Sequence, residues 1–352
     1  MHFHHLHFYV EDAAFWQDWL VHKLAFHPVP ARSVVGHTHP QTKVLRQGGI
    51  EVRLSDAEHS AAAARYLQRH PSGIADIAFA TDKFDQVLAR ACAQGADLLG
   101  TVALTAAGRQ CQLKGWADLR HTLIEVSPQW QPYREHSDRA SSPDLLAVDH
   151  VVLNVLKGNL GPAATWYQTV FGLEGGQQFD IQTTHSGLRS QVLFHPDGTL
   201  QLPINEPSSA NSQIQEFLLH NRGAGVQHVA LRAQNAISAI AHLRQRGLEL
   251  ISVPHNYYDS LRQRSDCPVQ DTSAASHQQL LLDWAQGGQQ GMLLQTFTKP
   301  IFAEPTFFFE IIERGTYVED GQTKRAQGFG EGNFQALFEA IERAQLERGT
   351  LN

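Results

Sequence analysis

Three polar side chains stand alone inside apolar, strand-like runs of the chain. They are His150 in V-D-H-V-V-L-N-V, His228 in V-Q-H-V-A-L-R-A and Glu310 in T-F-F-F-E-I-I-E-R. If three strands converged, two imidazoles and one carboxylate would fill one face of an octahedron and leave three positions for substrate and O2. That donor set suits a non-haem Fe(II) oxygenase. Singly, each residue has a blander reading, because a strand histidine is more often a hydrogen-bonded core residue and a buried glutamate can pair with an arginine. Their occurrence at equivalent places of a repeat weakens that reading. Strand alternation puts His150 on one face with Val152 and Asn154, and Glu310 with Phe308 and Ile312, so an aromatic ring is expected beside the carboxylate.

The elements that must position these residues recur four times. Opening strands are read at Phe3 to Val10, Ser72 to Ala80, Val148 to Val155 and Ala224 to Ala233. Sliding the second onto the fourth without a gap aligns Gly73 with Gly225, Asp76 with His228, Ala78 with Ala230 and Gly95 with Gly247. Phe15 to Leu20 likewise matches Trp166 to Phe171, so the chain reads as a duplicated pair of modules. After the third opening strand, Ala163, Tyr167, Val170 and Phe171 recur at helical spacing and Gly172 supplies a stop. Hairpins follow at Ser190 to Asn205 around H-P-D-G and at Lys43 to Leu54 around Q-G-G. The unit is strand, helix and about three strands, which gives an α+β architecture of strongly curved sheets. Gln129 to Pro143 reads as the linker between an N-terminal domain, 1–140, and a C-terminal domain, 141–352. Asn256 to His277 has no clear period and reads as a long loop. Phe334, Leu337, Phe338 and Ile341 mark one face of a final helix, with Asn333 as its N-cap.

The first half offers an internal comparison, since His5 occupies the slot of His150, Asp76 that of His228 and Glu125 roughly that of Glu310. A second metal site there is disfavoured, because Asp76 replaces an imidazole and the surrounding aromatic and amide residues are missing.

Composition narrows the function. At 352 residues the chain can build two cores. A net charge of −7 argues against nucleic acid or an anionic membrane as partner, leaving a small molecule. Cys92, Cys111 and Cys267 lack a disulfide or zinc spacing, which fits a reducing cytoplasm. No run reaches the ~18 apolar residues of a membrane helix, and the histidine-rich start, strand-like through Val10, lacks a signal-peptide pattern.

Residues 145 to 346 resemble the 4-hydroxyphenylpyruvate dioxygenases of the vicinal-oxygen-chelate superfamily. The stretches that carry the resemblance include S-G-L-R-S (186–190), L-P-I-N-E-P (202–207), G-A-G-V-Q-H-V-A (223–230), L-L-Q-T-F-T-K-P (293–300), F-F-F-E-I-I-E-R and G-F-G-E-G-N-F (328–334). The first half is similar in module pattern only. The resemblance implies the vicinal-oxygen-chelate fold, four βαβββ modules forming two open-barrel domains, with a C-terminal lid helix and a non-catalytic N-terminal domain. It implies Fe(II) held by His150, His228 and Glu310. Ser190, Asn205 and Gln213 would meet the substrate's phenol end, with Gln227 nearby and Gln295 near the metal-bound groups. Phe308, Phe329 and Phe334 would wall the ring, and Asn333 would help place the lid. The substrates would be 4-hydroxyphenylpyruvate and O2, the products homogentisate and CO2, and the assembly a homo-oligomer, dimer or tetramer. Phe297 and Phe338 read as packing residues, and Gln227, adjacent to His228, falls on the opposite pleat face. Glu331 stands where many relatives carry a basic residue, and Tyr317 to Lys324 looks like an insert before the lid. Three alternatives stay open: a 4-hydroxymandelate synthase acting at the benzylic carbon, an extradiol dioxygenase, which needs an additional His and Tyr, and a non-catalytic aromatic-ligand binding protein.

Overall fold

The computed structural model describes the chain except residues 31–38, 106–107, 128–143, 183–185, 265, 270 and 285–290; from 331 onward it describes 332–333, 338, 341–342, 345 and 349. Strands β1 (His2–Tyr9), β2 (His27–Val29), β3 (Lys43–Gln47), β4 (Ile50–Ser55), β5 (Gly73–Thr81), β6 (Ala103–Thr105), β7 (Gly108–Lys114) and β8 (Arg120–Glu125) form one eight-stranded sheet. A second comprises β9 (Leu145–Asn154), β10 (Glu174–Gln182), β11 (Gly187–Phe194), β12 (Gln201–Pro207), β13 (Gly225–Ala233), β14 (Leu281–Trp284), β15 (Met292–Phe297) and β16 (Phe308–Arg314). The strand order is the same in both, β2-β3-β4-β1-β5-β8-β7-β6 and β10-β11-β12-β9-β13-β16-β15-β14. Each sheet is therefore two strand–helix–three-strand modules joined through their antiparallel opening strands, β1 with β5 and β9 with β13. The segment Thr316 to Arg325 forms its own hairpin, β17 (Thr316–Glu319) with β18 (Gln322–Arg325).

Helices follow where the apolar spacing and caps direct them. Each opening strand leads into one: α1 (Ala13–Leu24), α3 (Phe84–Ala93), α4 (Leu160–Phe171) and α6 (Ala236–Gln245), with α2 (Ala61–Leu67) and α5 (Gln213–His220) between modules. Asp12 accepts hydrogen bonds from the Ala14 and Phe15 amides at the start of α1, and Asn235 from Ser238 at the start of α6. On α4 the expected stripe of Ala163, Tyr167, Val170 and Phe171 is buried, and Gly172 ends the helix. Its rings pack into the first half: Phe171 lies 4.9 Å from Phe79 and Tyr167 hydrogen-bonds His121 at 3.0 Å. One apolar core thus runs through both sheets.

Two expectations about elements fail. The stretch Asn256 to His277, read as a loop, contains α7 (His255–Gln263) and α8 (Ser273–His277). On α7, Tyr258 and Leu261 turn inward at i and i+3, a pattern too short to stand out among its polar residues. Asn333 lies within the C-terminal helix rather than capping it. The expected linker, 129–143, falls wholly outside the described residues. Among the described residues no helix is long and apolar enough to cross a membrane.

The β3–β4 turn of the first half also touches the opening strand of the second. Gly49 donates to the Leu146 carbonyl at 2.7 Å, and Gly48, at φ +55°, sits where a Cβ would meet the carbonyl oxygens of Leu145 and Leu146 at 2.6 and 2.8 Å. Gly48→Ala is expected to destabilise the protein by about 2–4 kcal/mol, through left-handed strain plus a backbone clash; denaturant unfolding measures it, and a loss below ~0.5 kcal/mol would mean the two halves do not meet there.

Candidate metal centre

Three adjacent strands bring the three ligand types together. His150 on β9 and Glu310 on β16 both pair across to Ala230 of β13, and His228 lies two residues before Ala230 on the same face. Ala230 is itself fully buried, its methyl group packed with Leu293, Ile312 and Ala326. Glu310 Oε2 lies 3.3 Å from His150 Nε2 and 3.6 Å from His228 Nε2, and all three residues are buried. Ligands about 2.0–2.2 Å from an ion and at right angles stand about 3 Å apart, so the three atoms fit one face of an octahedral metal.

A row of charges supports them. His150 Nδ1 meets Asp149 at 2.9 Å, and Arg314 grips Asp149 with two hydrogen bonds of 2.8 and 2.7 Å while donating to the carbonyls of Ala326 and Gly328. Neighbouring strand residues normally face opposite ways. Here the register slips so that Asp149 is the extra residue between the pairs Ala230–His150 and Leu231–Val148, a bulge that frees Asp149 to reach its neighbour's ring. Burial would drive His150 toward neutrality, yet the Glu310 carboxylate and Asp149 outweigh it and raise it to about 9. Burial pushes Glu310 up, but the His150 charge and hydrogen bonds from both imidazoles hold it down to about 2. For Asp149, burial is overcome by Arg314, and the carboxyl stays far below its usual range. Burial lowers His228 despite Glu310. The difference between the histidines lies in the far ring nitrogen: that of His228 has no partner among the described residues. Sequence reading missed the Asp149–Arg314 pair, although D-H and E-I-I-E-R stood in the motifs it used.

Above the triad lies a cavity of about 70 Å³, walled by side chains of β9, β11, β12, β13, β15 and β16. Phe308 stacks on His228 with centroids 4.8 Å apart, and Phe329 meets His150 edge-on at 5.1 Å. Ser190, Asn205, Gln213 and Gln227 supply polar groups to the wall. Asn205 Nδ2 donates to Asn154 at 3.3 Å, while the buried Gln213 side-chain oxygen has no partner among the described residues.

Several expectations are corrected. Gln227 lines the same cavity as His228, because the register jumps from Val226–Leu153 to His228–Val152 and leaves Gln227 as a bulge residue. Phe297 and Phe338 line the cavity as well as pack. Gln295 and Asn333 stand behind the wall: Gln295 Nε2 donates to Glu310 Oε1 at 2.9 Å and to the Phe329 carbonyl at 3.1 Å, and Asn333 Nδ2 donates to Gln295 at 2.8 Å. Gly330, at φ +73°, passes so close to the Gln295 oxygen that a Cβ would overlap it. Phe334 and Glu331 lie outside the described residues. Among the described residues the wall carries no histidine beyond the two and no tyrosine.

The first-half counterpart does not assemble from His5, Asp76 and Glu125. Asp76 accepts from Gln112 and Thr122, and Glu125 sits nearer the surface with Arg109. His5 instead gathers with His4 and Glu51, but Glu51 is held by Arg46 and Arg53 at 2.5 and 2.7 Å. Both Glu51 carboxylate oxygens are thereby taken up by guanidinium groups.

A model of the Glyoxalase/Bleomycin resistance protein/Dioxygenase superfamily matches residues 147–273. The chain is 33% identical to 4-hydroxyphenylpyruvate dioxygenase of Danio rerio over 100% of its own length and 92% of that protein's. It is 31% identical to an uncharacterized protein of Synechocystis, over 99% of each. A mutant of 4-hydroxymandelate synthase from Streptomyces coelicolor superposes with a TM-score of 0.81 at 26% identity, covering 98% of both chains.

With His150 protonated up to about pH 9 in the metal-free protein, a divalent ion must displace that proton, so affinity should rise about tenfold per pH unit toward that value and then level off. Calorimetry in buffers of different ionisation enthalpy should read about one proton released per ion near neutrality; none released would mean a neutral His150. Asp149→Asn, which removes the charge orienting the ring, should weaken metal binding about 10–100-fold, measurable by chelator competition.

Proposed function

The chain belongs to the 4-hydroxyphenylpyruvate dioxygenase family, within the vicinal-oxygen-chelate superfamily, and we propose that it converts 4-hydroxyphenylpyruvate and O2 to homogentisate and CO2 with Fe(II) held by His150, His228 and Glu310. The observation that carries this reading is the convergence of two imidazoles and one carboxylate oxygen beneath an aromatic-walled cavity. When bound, the metal supplies activation of O2 beside a chelating 2-oxo acid. No separate oxo acid is needed, because the substrate carries its own.

The protein's part is to bind, orient and keep water out. Phe308 and Phe329 flank the triad and hold the substrate ring against it. Ser190, Asn205, Gln213 and Gln227 meet the phenol, for which the Gln213 oxygen, without a partner among the described residues, is a ready acceptor. Phe338 and Ile341 of the C-terminal helix close the apolar side, which supports that helix as a lid. The N-terminal half, 1–140, serves as a non-catalytic structural part of a homo-oligomer, in keeping with the ion pairs that fill its equivalent slot. Three free cysteines accord with a cytoplasmic setting. Benzylic hydroxylation to 4-hydroxymandelate is the second reading, favoured by the Streptomyces fold match.

Anaerobic loading with Fe(II), then O2 and 4-hydroxyphenylpyruvate, with chromatography of the products, tests the proposal. Homogentisate is expected with one CO2 per O2; 4-hydroxymandelate would transfer the protein to the second reading, and no O2 uptake would overturn both. Glu310→Ala should lower turnover at least about 10³-fold, since it removes one of the three metal ligands.

A further inference from the structure

We propose that Tyr257 is a positioning residue, the head of a hydrogen-bond relay that decides which oxygen of Glu310 faces the metal. The inference rests on the metal-centre reading above. The relay is directional. The Leu282 amide donates to the Tyr257 oxygen at 2.8 Å, and the hydroxyl lies 2.8 Å from Asn333 Oδ1. Asn333 Nδ2 donates to Gln295 Oε1, and Gln295 Nε2 donates to Glu310 Oε1. The hydroxyl also lies 3.0 Å from the Leu282 carbonyl, but it has one proton, and the Asn333 oxygen faces no other donor in the relay. Flipping the Asn333 amide would set its oxygen against that of Gln295, so each group fixes the orientation of the next. Gln295, Asn333 and Glu310 are all buried, where such chains polarise cooperatively.

The consequence is a count of coordination positions. With Oε1 engaged by Gln295, only Oε2 turns toward the two imidazoles. A carboxylate that swung to bind through both oxygens would take one of the three positions that a chelating oxo acid and O2 together require. Tyr257 stands on α7, an element without a ligand of its own, and fastens the first turn of the C-terminal helix to β14 and β15 through Asn333. It preserves single-oxygen ligation from a distance.

Tyr258 provides the control. It sits on the same helix, and its hydroxyl donates to the Leu280 carbonyl at 3.0 Å, outside the relay. Metal-free full-length protein would be titrated with Co(II), following affinity and the d–d absorption that reports coordination number. Tyr257→Phe is expected to weaken Co(II) about tenfold and alter the band intensity, whereas Tyr258→Phe leaves both at wild-type values even where its melting temperature falls equally. In an Asn333→Leu background, Tyr257→Phe should change nothing further. Identical Co(II) behaviour of the two tyrosine variants, or independent additive effects of Tyr257→Phe and Asn333→Leu, overturns the relay. If Tyr257→Phe does not fold, Asn333→Leu alone against wild type reads the same loss. Wild type that fails to bind Co(II) overturns the metal reading itself; the cobalt readout is independent of which product the enzyme makes.

Discussion

Four charges stand in a buried row, Arg314, Asp149, His150 and Glu310, alternating in sign. None is tolerable there alone, because an ion taken from water costs several kcal/mol unless a close opposite charge compensates. Together they make a rigid rod that crosses from the end of β16 to β9 and back to the middle of β16. Loss of any member leaves its neighbours uncompensated, so the row constrains the registers of both strands. The cavity above inherits part of that rigidity: Phe329 packs edge-on against His150, whose ring Asp149 holds in place.

The duplication explains how such a centre arose in one half. The two sheets share a strand order, but the chemistry of equivalent slots diverged. In the first sheet the carboxylate of Glu51 is spent on two arginines, and Asp76 is satisfied by Thr122 and Gln112. The scaffold is indifferent to whether its slot holds a metal or an ion pair, provided the buried polar groups find partners.

The modules and the ligand triad could be read in the sequence because both follow strict periodicity: strand alternation, helical spacing, and lone polar residues in apolar runs. What could not be read are the places where periodicity breaks. Gln227 and Asp149 each occupy a bulge, and a bulge in one strand is set by its partner's register, which no local window contains. Asn333 looked like a cap because the residue type favours caps, and its actual partners, Gln295 and Tyr257, come from far along the chain. Helix α7 was hidden by its polar composition. Phe308 beside the carboxylate followed from strand alternation and Phe329 from the family resemblance, whereas the participation of Phe297 and Phe338 needed the folded cavity.

The burial of Tyr167 and Phe171 of α4 among Phe79 and His121 of the other half has a thermodynamic consequence. Because one apolar core serves both sheets, the halves are not separable units of stability. Cutting the chain between them would bring those rings to water and strand the His121 imidazole without its phenol. Heat should therefore melt the molecule in a single cooperative transition, and the first half holds up the wall against which the candidate site of the other half is built.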